Sequence, residues 1–323
     1  MKNLDQIISL CKLIDIRKDY NQSNGGNISF KDGNKIYIKP SGKHMARING
    51  LDDFYCSQMK IFSDLLTKTE DLDLHQQKFF KQFSPEKHRP SIETFLHVQL
   101  KKYTLHLHHI GSLIISCRRD WKEFVAANFQ DALCLDYAHP GIELGKELQD
   151  QIKSLGFIPE VVFMQNHGII LSSDNYDDFK LLINITFKKI NSLIEYHNFN
   201  IDYFEKAESL FNILHNRGIS FYSSLYNKKI PENFSNFLSP DIIIHLGETT
   251  ETKDLITVGD KKVLIFKDYI FILEQDPIKR LEIEELVLAQ IEICQNLKKS
   301  EIHFLSSDIV KRISTWALGK ARR

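Results

Sequence analysis

The run Leu105-His106-Leu107-His108 places two imidazoles at positions i and i+2 of an apolar segment. On a β-strand such positions project from the same face, so both rings can reach one metal ion. Two histidines on the solvent face of a strand would show the same spacing. His109 follows directly and points to the other face of a regular strand, which leaves it out of the set. His167 stands between Asn166 and Gly168, where an extended apolar segment breaks and a side chain can project into a site. A turn histidine is the alternative there. With His106 and His108 it would supply three nitrogen donors and leave a fourth position open, the arrangement of a catalytic zinc. Such a site polarises a substrate oxygen as a Lewis acid.

Glu93, in Pro90-Ser91-Ile92-Glu93, lies just inside a helical pattern. The helix dipole alone favours an acid at that place. Beside a cation and a substrate oxyanion, the same carboxylate would shuttle a proton. The turns Gly25-Gly26-Asn27 and Ser41-Gly42 offer backbone N–H groups, and Ser91 adds a hydroxyl. Each is an ordinary turn by itself, and together with a metal they suggest a phosphate pocket.

Elements to position these residues are visible in the pattern. Leu4, Ile7, Ile8, Leu10, Cys11 and Ile14 fall on one helical face. A hairpin follows, with Ile28-Ser29-Phe30 turning at Asp32-Gly33-Asn34 into a strand that closes at Pro40-Ser41-Gly42. A charged, loop-rich stretch is expected to about Pro90, a helix over 92–102 and a strand over 103–116. Residues 143–156 read as an amphipathic helix with a glycine cap, 161–165 and 169–173 as strands, and a helix runs from Asp174 toward Asn198. Residues 1–200 thus form a mixed α/β unit. Residues 201–323 read as a smaller C-terminal α+β region, with a helix over 203–218, a strand over 241–247, a hairpin turning at Lys267-Asp268 and helices near Ile278 and Ser307.

Among 323 residues, Lys plus Arg equals Asp plus Glu at 42 each, so no global field gathers nucleic acid or an anionic membrane. Cys11, Cys56, Cys117, Cys134 and Cys294 are scattered without a C-x-x-C pair, which fits reduced structural thiols and points to the cytoplasm. The charged N-terminal helix is no signal peptide, and no run approaches the ~18 apolar residues of a membrane span.

The order Gly25-Gly26-Asn27-Ile28-Ser29, Ile38-Lys39-Pro40-Ser41-Gly42, Pro90-Ser91-Ile92-Glu93, His106-Leu107-His108 and Asn166-His167-Gly168 resembles the signature of the class II aldolase/adducin family. The resemblance covers roughly residues 1–200 and includes Tyr137 to Leu144. Fuculose-phosphate and rhamnulose-phosphate aldolases are the best-known enzymes of that family. What it implies is a three-layer α/β/α sandwich around a mainly antiparallel sheet, in a homo-oligomer, usually a tetramer, with sites between subunits. It further implies Zn2+, or another divalent metal, on His106, His108 and His167, with Glu93 as acid/base. Gly26, Asn27, Ser41, Gly42 and Ser91 would hold the substrate phosphate. Family aldolases often carry a second serine where Ile92 stands here, so one phosphate contact is missing. Lys39 or Lys43 could replace it, although each reads first as a solvated lysine. Residues 238–247 resemble a segment that follows the aldolase domain in longer relatives, and no Gly-x-Gly-x-x-Gly nicotinamide element accompanies it.

The expected function is therefore that of a zinc-dependent aldolase, acting on a ketose phosphate through a metal-stabilised enediolate. In this family the same constellation also serves sugar-phosphate 4-epimerases and a dehydratase. Adducin-like binding modules share the fold but lack the metal set.

Overall fold

The computed structural model describes residues 3–22, 24–68, 72–82 and 89–196, and toward the C-terminus chiefly 250–251, 263–266, 269–272, 276–296 and 305–311. Helix α1 (Leu4–Ile16) buries Ile7, Leu10, Cys11 and Ile14, the stripe expected of an amphipathic helix. Strands β1 (Asn27–Asp32) and β2 (Lys35–Ile38) form the anticipated hairpin, with Asp32 opposite Lys35. Then come β3 (Tyr55–Gln58), α2 (Met59–Leu66), α3 (Leu72–Phe80), α4 (Thr94–His97), β4 (Tyr103–Leu107), α5 (Ile110–Ser116) and α6 (Trp121–Asn128). The unit finishes with β5 (Leu133–Leu135), α7 (Ile142–Leu155), β6 (Val161–Met164), β7 (Gly168–Ser173) and α8 (Tyr176–Leu193).

The seven strands form one sheet in the order β3-β2-β1-β4-β7-β6-β5. Neighbours are antiparallel except β5 and β6, which run parallel. Residues from α1, α5, α6 and α8 share a core with one face of the sheet. Residues from α2, α3, α4 and α7 build smaller clusters on the other. The result is the three-layer sandwich the family resemblance implies. Covered on both sides, β4 is buried at every position. Its Tyr103, Leu105 and Leu107 join the α1/α8 core, so alternation turns Thr104 and His106 to the opposite face.

Several elements differ from expectation. The stretch 103–116 is not one strand: β4 ends at Leu107, and α5 starts at Ile110. His109 makes the break, since its Nδ1 accepts the Ser112 N–H at 3.1 Å and its carbonyl accepts the Ser112 hydroxyl at 2.8 Å. An apolar run alone cannot separate a buried strand from a buried helix. The helix expected over 92–102 is only α4, and α8 stops at Leu193. The supposed loop before Pro90 contains β3, α2 and α3, while the three-residue β5 was not anticipated. Strand β3 lies at the sheet edge with half-buried and exposed residues, too polar to register as a strand.

Chain contacts divide the molecule into Met1–Ile201 and Asp202–Arg323. In the second unit, β8 (Thr250–Glu251), β9 (Val263–Phe266) and β10 (Tyr269–Ile272) form a sheet in the order β10-β9-β8. Strands β9 and β10 are antiparallel with Tyr269 opposite Phe266, the expected hairpin. Helix α9 (Pro277–Asn296) follows, and 307–311 is helical. The helix expected over 203–218 lies largely, and the strand over 241–247 wholly, outside the described residues. Among the described residues no helix is long and apolar enough to cross a membrane.

His109 is fully buried, its ring 4.4 Å from that of Phe187 and 5.5 Å from Tyr20. Burial, with the charge of Arg17, pulls its pKa down to about 3. Burial, with the charge of His106, does the same to His97. Between pH 3 and the ordinary value of 6.5, the unfolded chain takes up protons that these folded rings refuse. Stability is therefore complete above pH 6.5 and falls as the pH drops toward 3, by up to about 1.4 kcal/mol per pH unit for each ring. Thermal melts between pH 7 and 4 should show this fall. A His109→Gln variant should show a shallower slope, and an unchanged slope would exclude His109 as a source.

Candidate metal centre

Three parts of the first unit meet at one end of the central strands. Strand pairing sets Asn27 opposite His106 on one side and Ile170 opposite His106 on the other. The His106 Nδ1 lies 3.2 Å from the Ile169 carbonyl oxygen. A carbonyl only accepts, so Nδ1 carries the hydrogen and Nε2 keeps its lone pair. His106 Nε2 and His108 Nε2 are both buried with no hydrogen-bond partner. Buried polar atoms in native proteins rarely go unpaired, and a group of donor nitrogens left so points to a cation.

His167 reaches the same place through a tight turn. Asn166 adopts the left-handed conformation (φ 56°), and the His167 N–H donates to the Met164 carbonyl at 3.2 Å. Gly168 follows with φ 121°, and a Cβ there would collide with the Leu107 carbonyl oxygen and lie 3.2 Å from the His108 Cα. The absent side chain lets β7 close against the end of β4, so that His167 and His108 face each other. Ring centroids are 5.0 Å apart for His106–His108 and His106–His167, and 5.5 Å for His108–His167.

Glu93 is the N-cap residue of α4 but makes no side-chain cap hydrogen bond. Its Oε1 lies 3.5 Å from His106 Nε2 and 3.3 Å from His167 Nε2. Its Oε2 accepts hydrogen bonds from the Ser91 hydroxyl at 2.7 Å and from the Asn27 amide. Donor atoms of Glu93, His106, His108 and His167 all lie within 4.8 Å of one another. Small side-chain rotations bring such a set to the roughly 2.0–2.2 Å that nitrogen and oxygen ligands keep from zinc. Burial opposes ionisation of Glu93, but where a proton takes the place of an ion on His106 Nε2, the charge and hydrogen bond of that ring, with hydrogen bonds from His167 and Ser91, outweigh it. They hold the carboxyl well below its usual range. Burial and the neighbouring His106 and His167 lower His108 to about 4, so it is neutral at pH 7, the form that binds a metal.

The expected anion-binding residues lie on three segments that are tied to one another. Asn27 Nδ2 donates to Ser91 Oγ at 3.0 Å. The Ser41 N–H donates to the Arg89 carbonyl at 3.0 Å, and Arg89 Nη2 donates to Ser41 Oγ at 3.0 Å. Lys39 is not solvated: it is 2% exposed, and its Nζ donates to the carbonyls of Asn24 at 3.1 Å, Pro40 at 3.4 Å and Lys43 at 2.6 Å. Burial lowers its pKa to about 8. Lys43 is not free either, since it pairs with Asp53 at 2.5 Å. Gly26, at φ 59°, has no room for a Cβ, which would lie 2.7 Å from Asn21 Oδ1 and 2.9 Å from the His106 carbonyl oxygen. Asn21 in turn donates to the Gly25 carbonyl at 2.7 Å.

Sequence reasoning missed Asn21, the Ile169 carbonyl, Arg89 and the buried role of Lys39. It also missed His97, whose Nδ1 sits 2.7 Å from Ser29 Oγ beneath the centre. A histidine four residues after Glu93 in a helical pattern was the available signal.

Fold and residues together define a member of a known family. The sequence model of the class II aldolase and adducin N-terminal domain matches residues 5–184, and this chain belongs to that family. Among solved structures it is similar to the N-terminal class II aldolase domain of a conserved protein from Thermoplasma acidophilum, with 23% identity and a TM-score of 0.51 over 60% of this chain and 94% of that one. It is also similar to an L-fuculose 1-phosphate aldolase, at 15% identity and a TM-score of 0.41 over 66% and 97% of the two chains. An L-fuculose-1-phosphate aldolase from Thermus thermophilus gives 11% identity and a TM-score of 0.40 over 68% and 98%. No protein with a curated description matches the chain.

The close approach at Gly168 yields a prediction. Gly168→Ala should destabilise the chain by at least about 1–3 kcal/mol, through strain and displacement of the Leu107 carbonyl. Urea unfolding measures the loss, and an unchanged midpoint would mean that the turn tolerates a side chain.

Proposed function

We propose that this protein is a metal-dependent aldolase, with zinc as its ion, that cleaves or forms a carbon–carbon bond in a ketose phosphate. The reading is carried by the convergence of His106, His108, His167 and Glu93, with two buried Nε2 atoms that make no hydrogen bond. A donor set of three imidazoles, with the carboxylate beside it, suits zinc and accepts other divalent ions. When bound, the ion supplies a Lewis acid for the substrate carbonyl.

The remaining work falls to the chain. Glu93 holds one oxygen fixed on Ser91 and Asn27, which leaves Oε1 to take up and return a proton at the substrate carbon or its hydroxyl. Burial of Glu93 and His106 keeps bulk water from the reacting carbon. Asn27 has two amide hydrogens and keeps one on Glu93 while it offers the other to the phosphate, the Ser91 hydroxyl turns from Glu93 to the phosphate, and Gly26 and Gly42 present turn backbone. Ser41 contributes its hydroxyl, because its N–H is committed to Arg89. The protein works as a homo-oligomer, a tetramer, in the cytoplasm, without a nucleic-acid or membrane partner. Residues 201–323 are an accessory region.

Metal analysis of the purified protein should find about one equivalent per chain, and His106→Ala, His108→Ala and His167→Ala should each abolish most of it. Metal content indifferent to all three substitutions would overturn the site. Glu93→Gln should lower turnover about 10²–10⁴-fold, and full activity would remove Glu93 from proton transfer. Incubated with a panel of ketose phosphates, the protein should release a two- or three-carbon fragment. Epimerisation without fragments would replace the aldolase reading by a 4-epimerase, and a metal-free, inert protein would indicate a binding module.

A further inference from the structure

The three segments around the proposed phosphate pocket hold three cationic side chains. Lys39 directs its ammonium to three backbone carbonyls and is buried. Lys43 is paired with Asp53. Arg89 differs from both. It is exposed, its guanidinium lies 5.9 Å from the Phe80 ring centroid, and one nitrogen donates to Ser41 Oγ. A guanidinium has five N–H donors, so this single bond positions the fork while leaving donors for another acceptor.

The backbone that carries Arg89 is anchored at two points. The Arg89 carbonyl accepts the Ser41 N–H, and two residues further on Ser91 meets Asn27. Arg89 therefore stands where the turn at Ser41-Gly42 meets the segment that carries Ser91 and Glu93. Glu93 places a negative charge a few residues away, so an anionic substrate needs a countercharge that is not already neutralised. An oxyanion against Ser41 would lie beside the guanidinium that already donates to the Ser41 hydroxyl, and arginine is the side chain able to bind phosphate bidentately.

We propose that Arg89 is a specificity-determining residue that binds the anionic group of the substrate, a phosphate monoester, together with Ser41 and Ser91. The assignment rests on the phosphate-bearing substrate proposed above. Lysine at this place would keep the charge but lose the fork.

The test is calorimetric titration of the full-length, metal-loaded protein with inorganic phosphate, beside Arg89→Gln, Arg89→Lys and Lys43→Gln variants. Arg89→Gln should weaken phosphate binding about 10- to 100-fold, Arg89→Lys should fall between it and the parent, and Lys43→Gln should bind as the parent does. Metal content and melting temperature should be the same in the parent and both Arg89 variants. If Arg89→Gln binds phosphate as tightly as the parent, the assignment of Arg89 is wrong while the phosphate pocket stands. If Lys43→Gln weakens binding as much as Arg89→Gln does, a diffuse field has replaced a specific contact and the assignment again fails. Loss of metal or a lowered melting temperature in Arg89→Gln would reduce Arg89 to a structural role. A parent protein that binds no phosphate at millimolar concentration would overturn the pocket itself.

Discussion

The pairing of β4 with β7 sets Leu107 opposite Ile169, and everything at the candidate centre follows from that register. A shift of one residue would turn His106 toward the α1/α8 core and Leu107 toward the centre. The register is enforced twice. Hydrophobic side chains on alternate positions demand the core face, and the bare Gly168 backbone lies against the Leu107 carbonyl, where no other residue fits. The same pairing brings the Ile169 carbonyl to His106 Nδ1 and so settles which ring nitrogen faces the site. Position and protonation of one donor thus come from a single strand contact.

Around this contact the chain accumulates polar groups in a place where few are tolerated. Asn27, Ser29, Ser91, Glu93, His97, Thr104 and His106 are all buried on the face of the sheet opposite the α1/α8 core. Most make side-chain hydrogen bonds: Asn27 with Ser91 and Glu93, Ser29 with His97, His106 with Ile169. Buried hydrogen bonds of this kind hold their members rigidly. The buried atoms that make no hydrogen bond include His106 Nε2 and His108 Nε2, which belong to the candidate centre. His97 Nε2 and His109 Nε2 also make no hydrogen bond, and burial keeps both rings neutral, which avoids the larger cost of a buried charge.

Much of this was legible in the chain because it depends on local rules. Alternation in a strand placed His106 and turned its neighbours away, and the turn at Asn166-Gly168 announced that His167 would project. His108 shows the limit of such reasoning, since it lies one residue beyond the end of β4 and owes its position to Gly168 and Gly25 rather than to strand geometry. Glu93 had a simple role available as a helix cap, and only the fold shows that its side chain makes no cap bond. Lys39 was misread for a related reason. Lysine is ordinarily exposed, and the carbonyls that surround its ammonium come from turns that sequence alone does not bring together. The run 103–116 failed because burial on all sides erases the periodicity that separates strand from helix.

The centre is assembled from distant parts of the chain. Asn27 and Glu93 are 66 residues apart, and His106 and Ile169 are 63 apart. Closing loops of that length costs entropy before any contact is gained, so the centre forms only at the expense of long-range chain closure. A fragment that ends at His167 contains all four donors, but without β7 it lacks the strand that holds His106 and His167 in place. An ion held by this set would bind only the assembled sheet, and would therefore oppose any unfolding that parts β4 from β7.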